Sequence, residues 1–120
     1  MNKNENNLLV IEDNLYIGGR IVDATEKING IKSIQHSKSL KEAFSFLNKT
    51  NFEIITLDLS LPDGNGIEIL KWLKKNENKN KVLVFSANAE LKQTCLKYGA
   101  LAFFDKAEGF NDLIETIKCA

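Results

Sequence analysis

The sequence predicts an α/β domain, a parallel sheet held in a three-layer sandwich between helices. Two observations carry this. Short, continuous apolar runs recur along the chain, as strands buried on both faces require. Between them lie segments whose apolar residues fall at helical spacing. Five such runs alternate with five such segments, and helical crossovers between parallel strands produce that alternation.

Leu8-Leu9-Val10-Ile11 is the first strand and stops abruptly at Glu12-Asp13. A helix follows from about Asn14 to Lys27, with Ile17, Ile21, Ala24 and Ile28 as its inward stripe. Gly18-Gly19 inside it costs roughly 1 kcal/mol per glycine relative to alanine, so the helix is locally weak there or something packs close. Ser33 to Ser37 is a short second strand. Ser39-Leu40-Lys41-Glu42 has the form of a capping box, and the helix it opens presents Leu40, Ala43, Phe44 and Leu47 on one face. Glu53 to Asp58 is the third strand; Leu61-Pro62-Asp63-Gly64-Asn65-Gly66 after it is dense in turn formers. The third helix runs from about Asn65 to Asn76, with Ile67, Leu70 and Leu73 inward. Lys81 to Phe85 is a fourth buried strand ending at Ser86-Ala87, and a helix over about Ala89 to Tyr98 stops at Gly99. Ala102-Phe103-Phe104 is the fifth strand, ending at Asp105-Lys106. Phe110 to Ala120 closes the chain as a helix, with Phe110, Leu113, Ile114 and Ile117 on its apolar side.

The totals fit one domain over residues 8–120 behind a polar, disordered leader at 1–7. Sixteen basic residues balance sixteen acidic ones, which gives no support to direct nucleic-acid or anionic-membrane binding. Lys71, Lys74, Lys75, Lys79 and Lys81 read as a solvated helix end with its loop. Cys95 and Cys119 lack metal-ligand spacing and read as free thiols in a reducing compartment. No run approaches the ~20 apolar residues of a membrane span, and the N-terminus lacks the apolar core of a signal peptide. A cytoplasmic location is expected.

The polar residues share an address. Glu12 and Asp13 follow strand one, Asp58 strand three, Ser86 strand four and Lys106 strand five. Open α/β sheets bind ligands beyond the carboxyl ends of their strands. Singly, each residue has a plain structural reading: a loop start, a helix cap, a surface lysine. Jointly, at four strand ends, they are hard to ascribe to capping. Three carboxylates about 5 Å apart repel by roughly 3 kcal/mol per pair at an effective dielectric of ~20. One lysine cannot offset that, whereas a hard divalent cation can, and oxygen ligands suit Mg²⁺. Such a site is equipped to handle a phosphoryl group, with Asp58 as a nucleophile that forms an aspartyl phosphate.

Leu9-Val10-Ile11-Glu12-Asp13, Asp58 at its strand end, Leu61 to Gly66, Ser86-Ala87, Phe103 and Lys106 come in order across the chain. In these elements the sequence resembles the receiver domain of bacterial two-component response regulators. The resemblance implies a flavodoxin-like (βα)5 fold with strand order 2-1-3-4-5. It implies a phosphoacceptor in signal transduction, taking a phosphoryl group from a histidine kinase or a histidine phosphotransfer protein, rather than an enzyme with a separate substrate. Carried over by position, Asp58 is the phosphoacceptor and a metal ligand. Asp13 would ligate Mg²⁺ directly, Glu12 would help through water, and Ser60 would offer its backbone carbonyl. Lys106, the Ser86 hydroxyl and the Ala87 amide would meet the phosphoryl oxygens. Phe103 would be the switch aromatic, turning inward as Ser86 moves.

Three departures from the family pattern stand out. The common Lys-Pro pair is Lys106-Ala107 here. That leaves either a trans, rearranged loop or a cis bond costing roughly 2.5–4 kcal/mol. The Ser86 to Lys106 interval is slightly short, so the loop after Ser86 or the fourth helix is expected to be trimmed. Phe103 lacks a tyrosine's hydroxyl. Two partner surfaces follow from the resemblance. Leu15, Gly18 and Val22 on the first helix would face the kinase, with Gly18-Gly19 permitting close approach. Lys92, Lys97, Asp105, Glu108 and Asp112 would form an output or homodimer face through the fourth helix, fifth strand and fifth helix. His36 reads as structural or exposed. Two other classes fit less well. An aspartyl-phosphate phosphohydrolase wants an acid two residues after its nucleophile, where Ser60 stands. A flavin-binding domain wants a phosphate-cradling loop where Glu12-Asp13 stands.

Overall fold

The computed structural model describes residues 5–120. Its elements are β1 (Asn6–Ile11), α1 (Leu15–Thr25), β2 (Ile31–Ser37), α2 (Leu40–Lys49), β3 (Ile54–Leu57), β4 (Ser60–Leu61), β5 (Gly64–Asn65), α3 (Ile67–Lys75), β6 (Lys81–Ser86), α4 (Lys92–Lys97), β7 (Ala102–Asp105) and α5 (Phe110–Cys119). The main sheet is parallel with order β2-β1-β3-β6-β7. With β4 and β5 set aside as a small antiparallel hairpin, this is the order 2-1-3-4-5.

The apolar runs are buried on both faces because each strand feeds two cores. Leu9, Ile11, Ile55, Leu57, Val82 and Val84 point to the side covered by α2, α3 and α4. Leu8, Val10, Ile54, Leu83 and Phe85 point to the side covered by α1 and α5. On the first side Trp72 of α3 meets Phe44 of α2 edge-on, with ring centroids 5.6 Å apart. On the second, the Arg20 guanidinium of α1 lies over the Phe110 ring of α5 at 4.0 Å.

Several boundaries differ from expectation. Residues 1–4 of the expected leader lie outside the described residues, but Asn6 and Asn7 are strand, not leader. The Asn7 amide donates to Glu53 Oε1 at 2.6 Å, which lets a polar residue extend the ladder. Ile69, unassigned in the sequence reading, is fully buried on α3, while Ile67 is only half-buried. The expected fourth helix breaks into a 3-10 turn at Ala89–Leu91 and an α-helix of six residues. The Lys106–Ala107 bond is trans; no described peptide bond is cis.

Gly18 corrects the reading of α1. It faces inward, not outward: a Cβ built on it would lie 2.3 Å from His36 Cε1. The close approach that Gly18 permits is made by the chain's own His36, whose Nε2 lies 2.8 Å from the Glu12 carbonyl oxygen. Val22 is likewise half-buried against the α1–α5 core, whereas Leu15 is 64% exposed.

Candidate functional site: the acidic crevice at the strand ends

Strand register builds the site. Ile11 pairs with Leu57 and Leu57 with Val84, so β1 and β3 end level while β6 runs two residues further, to Ser86; Ser86 pairs with Asp105. Whatever follows those positions shares one rim. The ladders continue one step further: the Glu12 amide donates to the Ser37 carbonyl and the Asp58 amide to the Ile11 carbonyl, both at 2.9 Å. Glu12 and Asp58 are therefore fixed by backbone before their side chains do anything. Their burial is near complete, at 1% and 3% exposed. Asp13 is exposed at the crevice mouth.

Carboxylate oxygens of Glu12, Asp13 and Asp58 lie within 4.8 Å of one another. Lys106 pairs with two of them, its ammonium 3.0 Å from Glu12 Oε1 and 3.2 Å from Asp58 Oδ2. Burial pushes the Glu12 carboxyl up to about 7, helped by the Asp58 charge and opposed by Lys106. Burial likewise raises Asp58 against the pull of Lys106. Burial alone would lower the Lys106 ammonium, but its hydrogen bond to Glu12 and the Asp58 charge outweigh that and raise it. Three hard carboxylate donors this close, two of them paired with one ammonium, could hold Mg²⁺ or Ca²⁺.

The remaining predicted residues gather at the same rim. The Ser86 hydroxyl is buried and accepts from the Asn88 amide at 3.0 Å. Ala87 beside it is exposed. Ser60 stands on the hairpin, its amide 3.4 Å from Asp58 Oδ1. Phe103 is half-buried on β7, paired in register with Val84 and packed on the α2–α4 core. Close packing holds the hairpin to the end of β3: a Cβ on Gly66 would lie 2.3 Å from the Asp58 carbonyl oxygen.

Two residues escaped the sequence reading. Asn88 donates from its side chain to the Ser60 hydroxyl at 3.4 Å, joining the β6–α4 loop to the hairpin across the crevice. Its only sequence signal is a position two residues after Ser86. Asp63 accepts from the amides of Leu40 and Lys41, at 2.8 and 3.0 Å. Those amides hold its carboxyl below the ordinary aspartate range. Nothing in a turn-rich stretch marks such a distant partner.

The family model of the response regulator receiver domain matches residues 8–118. The chain belongs to the response regulator receiver domain family. This receiver is 33% identical over 109 residues to a protein-glutamate methylesterase/protein-glutamine glutaminase of Treponema denticola, a match covering 85% of this chain and 28% of that protein. The transcriptional regulatory protein MalR of Bacillus subtilis is 31% identical over 103 residues, covering 83% of this chain and 43% of MalR. The chain thus spans less than half the length of these relatives. Among solved structures, the Francisella response regulator 1452 receiver domain superposes with a TM-score of 0.85 at 29% identity, covering 96% of this chain and 95% of that one. The response regulator domain of Thermotoga maritima CheB superposes with a TM-score of 0.84 at 25% identity, covering 97% and 96%. The flavodoxin-like receiver fold and the two-component signalling role follow. No helix among the described residues is long and apolar enough to cross a membrane.

Proposed function

We propose that this receiver domain takes a phosphoryl group onto Asp58 and switches partner binding when it does. One observation carries the reading: a nearly buried carboxylate at the end of a central strand, flanked by two further acids and held by one lysine. The donor is a phosphohistidine of a histidine kinase or phosphotransfer protein. An Asp58 carboxylate oxygen attacks phosphorus, a P–O bond forms, the P–N bond breaks, and the imidazole leaves. Water later hydrolyses the acyl phosphate and regenerates the carboxylate.

The chain's own residues orient and neutralise. Lys106, already 3.2 Å from Asp58, pairs with a phosphoryl oxygen, and the Ser86 hydroxyl and Ala87 amide receive the others. Glu12, Asp13, Asp58 and the Ser60 carbonyl would hold Mg²⁺. Bound there, Mg²⁺ supplies the charge neutralisation that phosphoryl transfer needs. When Ser86 turns to the phosphoryl group it gives up its bond from Asn88, the β6–α4 loop shifts, and Phe103 follows inward. The face of α4, β7 and α5, with Lys92, Lys97, Asp105, Glu108 and Asp112 exposed, then pairs with a second copy or an output partner. Catalysis is confined to the domain's own phosphorylation and dephosphorylation, in the cytoplasm.

Incubation with Mg²⁺ and acetyl phosphate, followed by intact mass, tests the reading. A single phosphate that disappears in Asp58→Asn is expected. Unchanged labelling in that variant sinks the assignment.

A further inference from the structure

The first three amides of α2 would be orphans in an isolated helix. Ser39 takes the third, its hydroxyl accepting from the Glu42 amide at 3.1 Å. The first two, Leu40 and Lys41, are taken by one carboxylate from 23 and 22 residues downstream respectively, with one Asp63 oxygen per amide. Asp63 lies on the turn of the β4–β5 hairpin, whose register is Ser60 to Asn65 and Leu61 to Gly64. The hairpin also leans on α2 through backbone, since a Cβ on Gly64 would lie 2.7 Å from Leu40 Cδ1. At its other end it presents Ser60, with its amide toward Asp58.

Asp58, Ser60, Asp63 and the start of α2 are thus one mechanical unit. We infer that Asp63 is a positioning residue for the acidic crevice: it fixes the hairpin, and through it Ser60 beside Asp58, by bracing it on the N-terminus of α2. This rests on the proposal that the crevice holds a divalent cation. Coupling of this kind is reciprocal. A cation bound among Glu12, Asp13, Asp58 and the Ser60 carbonyl tightens the hairpin, and the tightened hairpin protects the Leu40 and Lys41 amides.

The test compares wild type, Asp63→Ala, Asp63→Asn and Ser39→Ala. Mg²⁺ affinity is read by calorimetry and amide exchange by NMR with and without MgCl₂. Asp63→Ala is expected to weaken Mg²⁺ binding by about tenfold, in the range of supporting partners around a metal site. Asp63→Asn keeps one acceptor and falls between it and wild type. Mg²⁺ slows exchange at Leu40 and Lys41 in wild type but not in Asp63→Ala. Ser39→Ala removes the helix's own cap yet leaves the hairpin braced, so it speeds exchange at Glu42 with Mg²⁺ affinity unchanged. A mere helix cap would make Ser39→Ala and Asp63→Ala alike in Mg²⁺ affinity, and that result overturns the inference. Wild type that binds no Mg²⁺ overturns the metal-site proposal instead.

Discussion

The ammonium of Lys106 lies 3.2 Å from the Asp58 carboxylate, which also has an oxygen within 4.8 Å of one from the exposed Asp13. It occupies the place where a cation is wanted, but a single charge faces three acids. Replacing it by methionine keeps the apolar stem and removes the charge. In the metal-free domain, Lys106→Met is expected to cost about 3 kcal/mol, the low end for breaking a buried pair because the lysine keeps some water contact. Mg²⁺ binding should tighten several-fold, since ammonium and metal share carboxylate oxygens. Urea denaturation and calorimetry measure the two effects; looser Mg²⁺ binding contradicts the competition.

The second prediction concerns pH. Glu12 is held up to about 7 against an ordinary 4.5, so between those values the folded chain binds more proton than the unfolded one. Stability therefore falls as pH rises through that window. The raised Asp58 has the same sign. Melting without divalent cation should give a lower Tm at pH 7.5 than at pH 5. Glu12→Gln should flatten the difference, and Mg²⁺ should restore Tm at pH 7.5 because it requires the charged carboxylates. A Tm that rises with pH in metal-free buffer contradicts the raised carboxyls.

Gly18 tests the correction to α1. Gly18→Ala drives a methyl into the His36 ring, and overpacking of this kind costs about 1–3 kcal/mol. Truncating the ring in His36→Ala opens the space, so the double variant should recover most of the loss. A double-mutant cycle in urea reads the coupling. Additive effects would mean that Gly18 is not held by His36.

Glu77 tests the end of α3. It sits at φ 54°, in the left-handed region, and closes the helix with Asn78 donating to the Leu73 carbonyl at 3.0 Å. Glycine takes that position in most such caps. Glu77→Gly should stabilise the domain by about 1 kcal/mol, read as a higher urea midpoint at unchanged slope.

The strands, their two buried faces and the polar residues at their ends were legible because each rests on local pattern, whereas the strand order came from the family resemblance. Leu8 to Ile11, four apolar residues closed by two acids, has the length of a buried strand rather than of a helix, and the residue after a buried strand must lie at its end. What escaped depends on distance across the fold. Asp63 looks like an ordinary turn residue until α2 is folded beside it. Gly18 looks like a weak point until His36 is laid across it. Asn88 has no pattern around it. The third helix began two residues later than its periodicity implied because Asn65 is spent on the hairpin, where its side chain accepts from the Ile67 amide at 2.8 Å. The break in the fourth helix has the same origin: Asn88 turns back to the Ser86 hydroxyl, and regular α-helix begins only at Lys92.

The edge-on contact of Trp72 with Phe44 gives this domain a built-in optical probe. Trp72 is the chain's single tryptophan, and it sits where α3 meets α2. Its fluorescence therefore comes from one known seam, with no second indole to blur it. A rearrangement that shifts α2 against α3 alters that contact, so emission can follow it in real time on unlabelled protein.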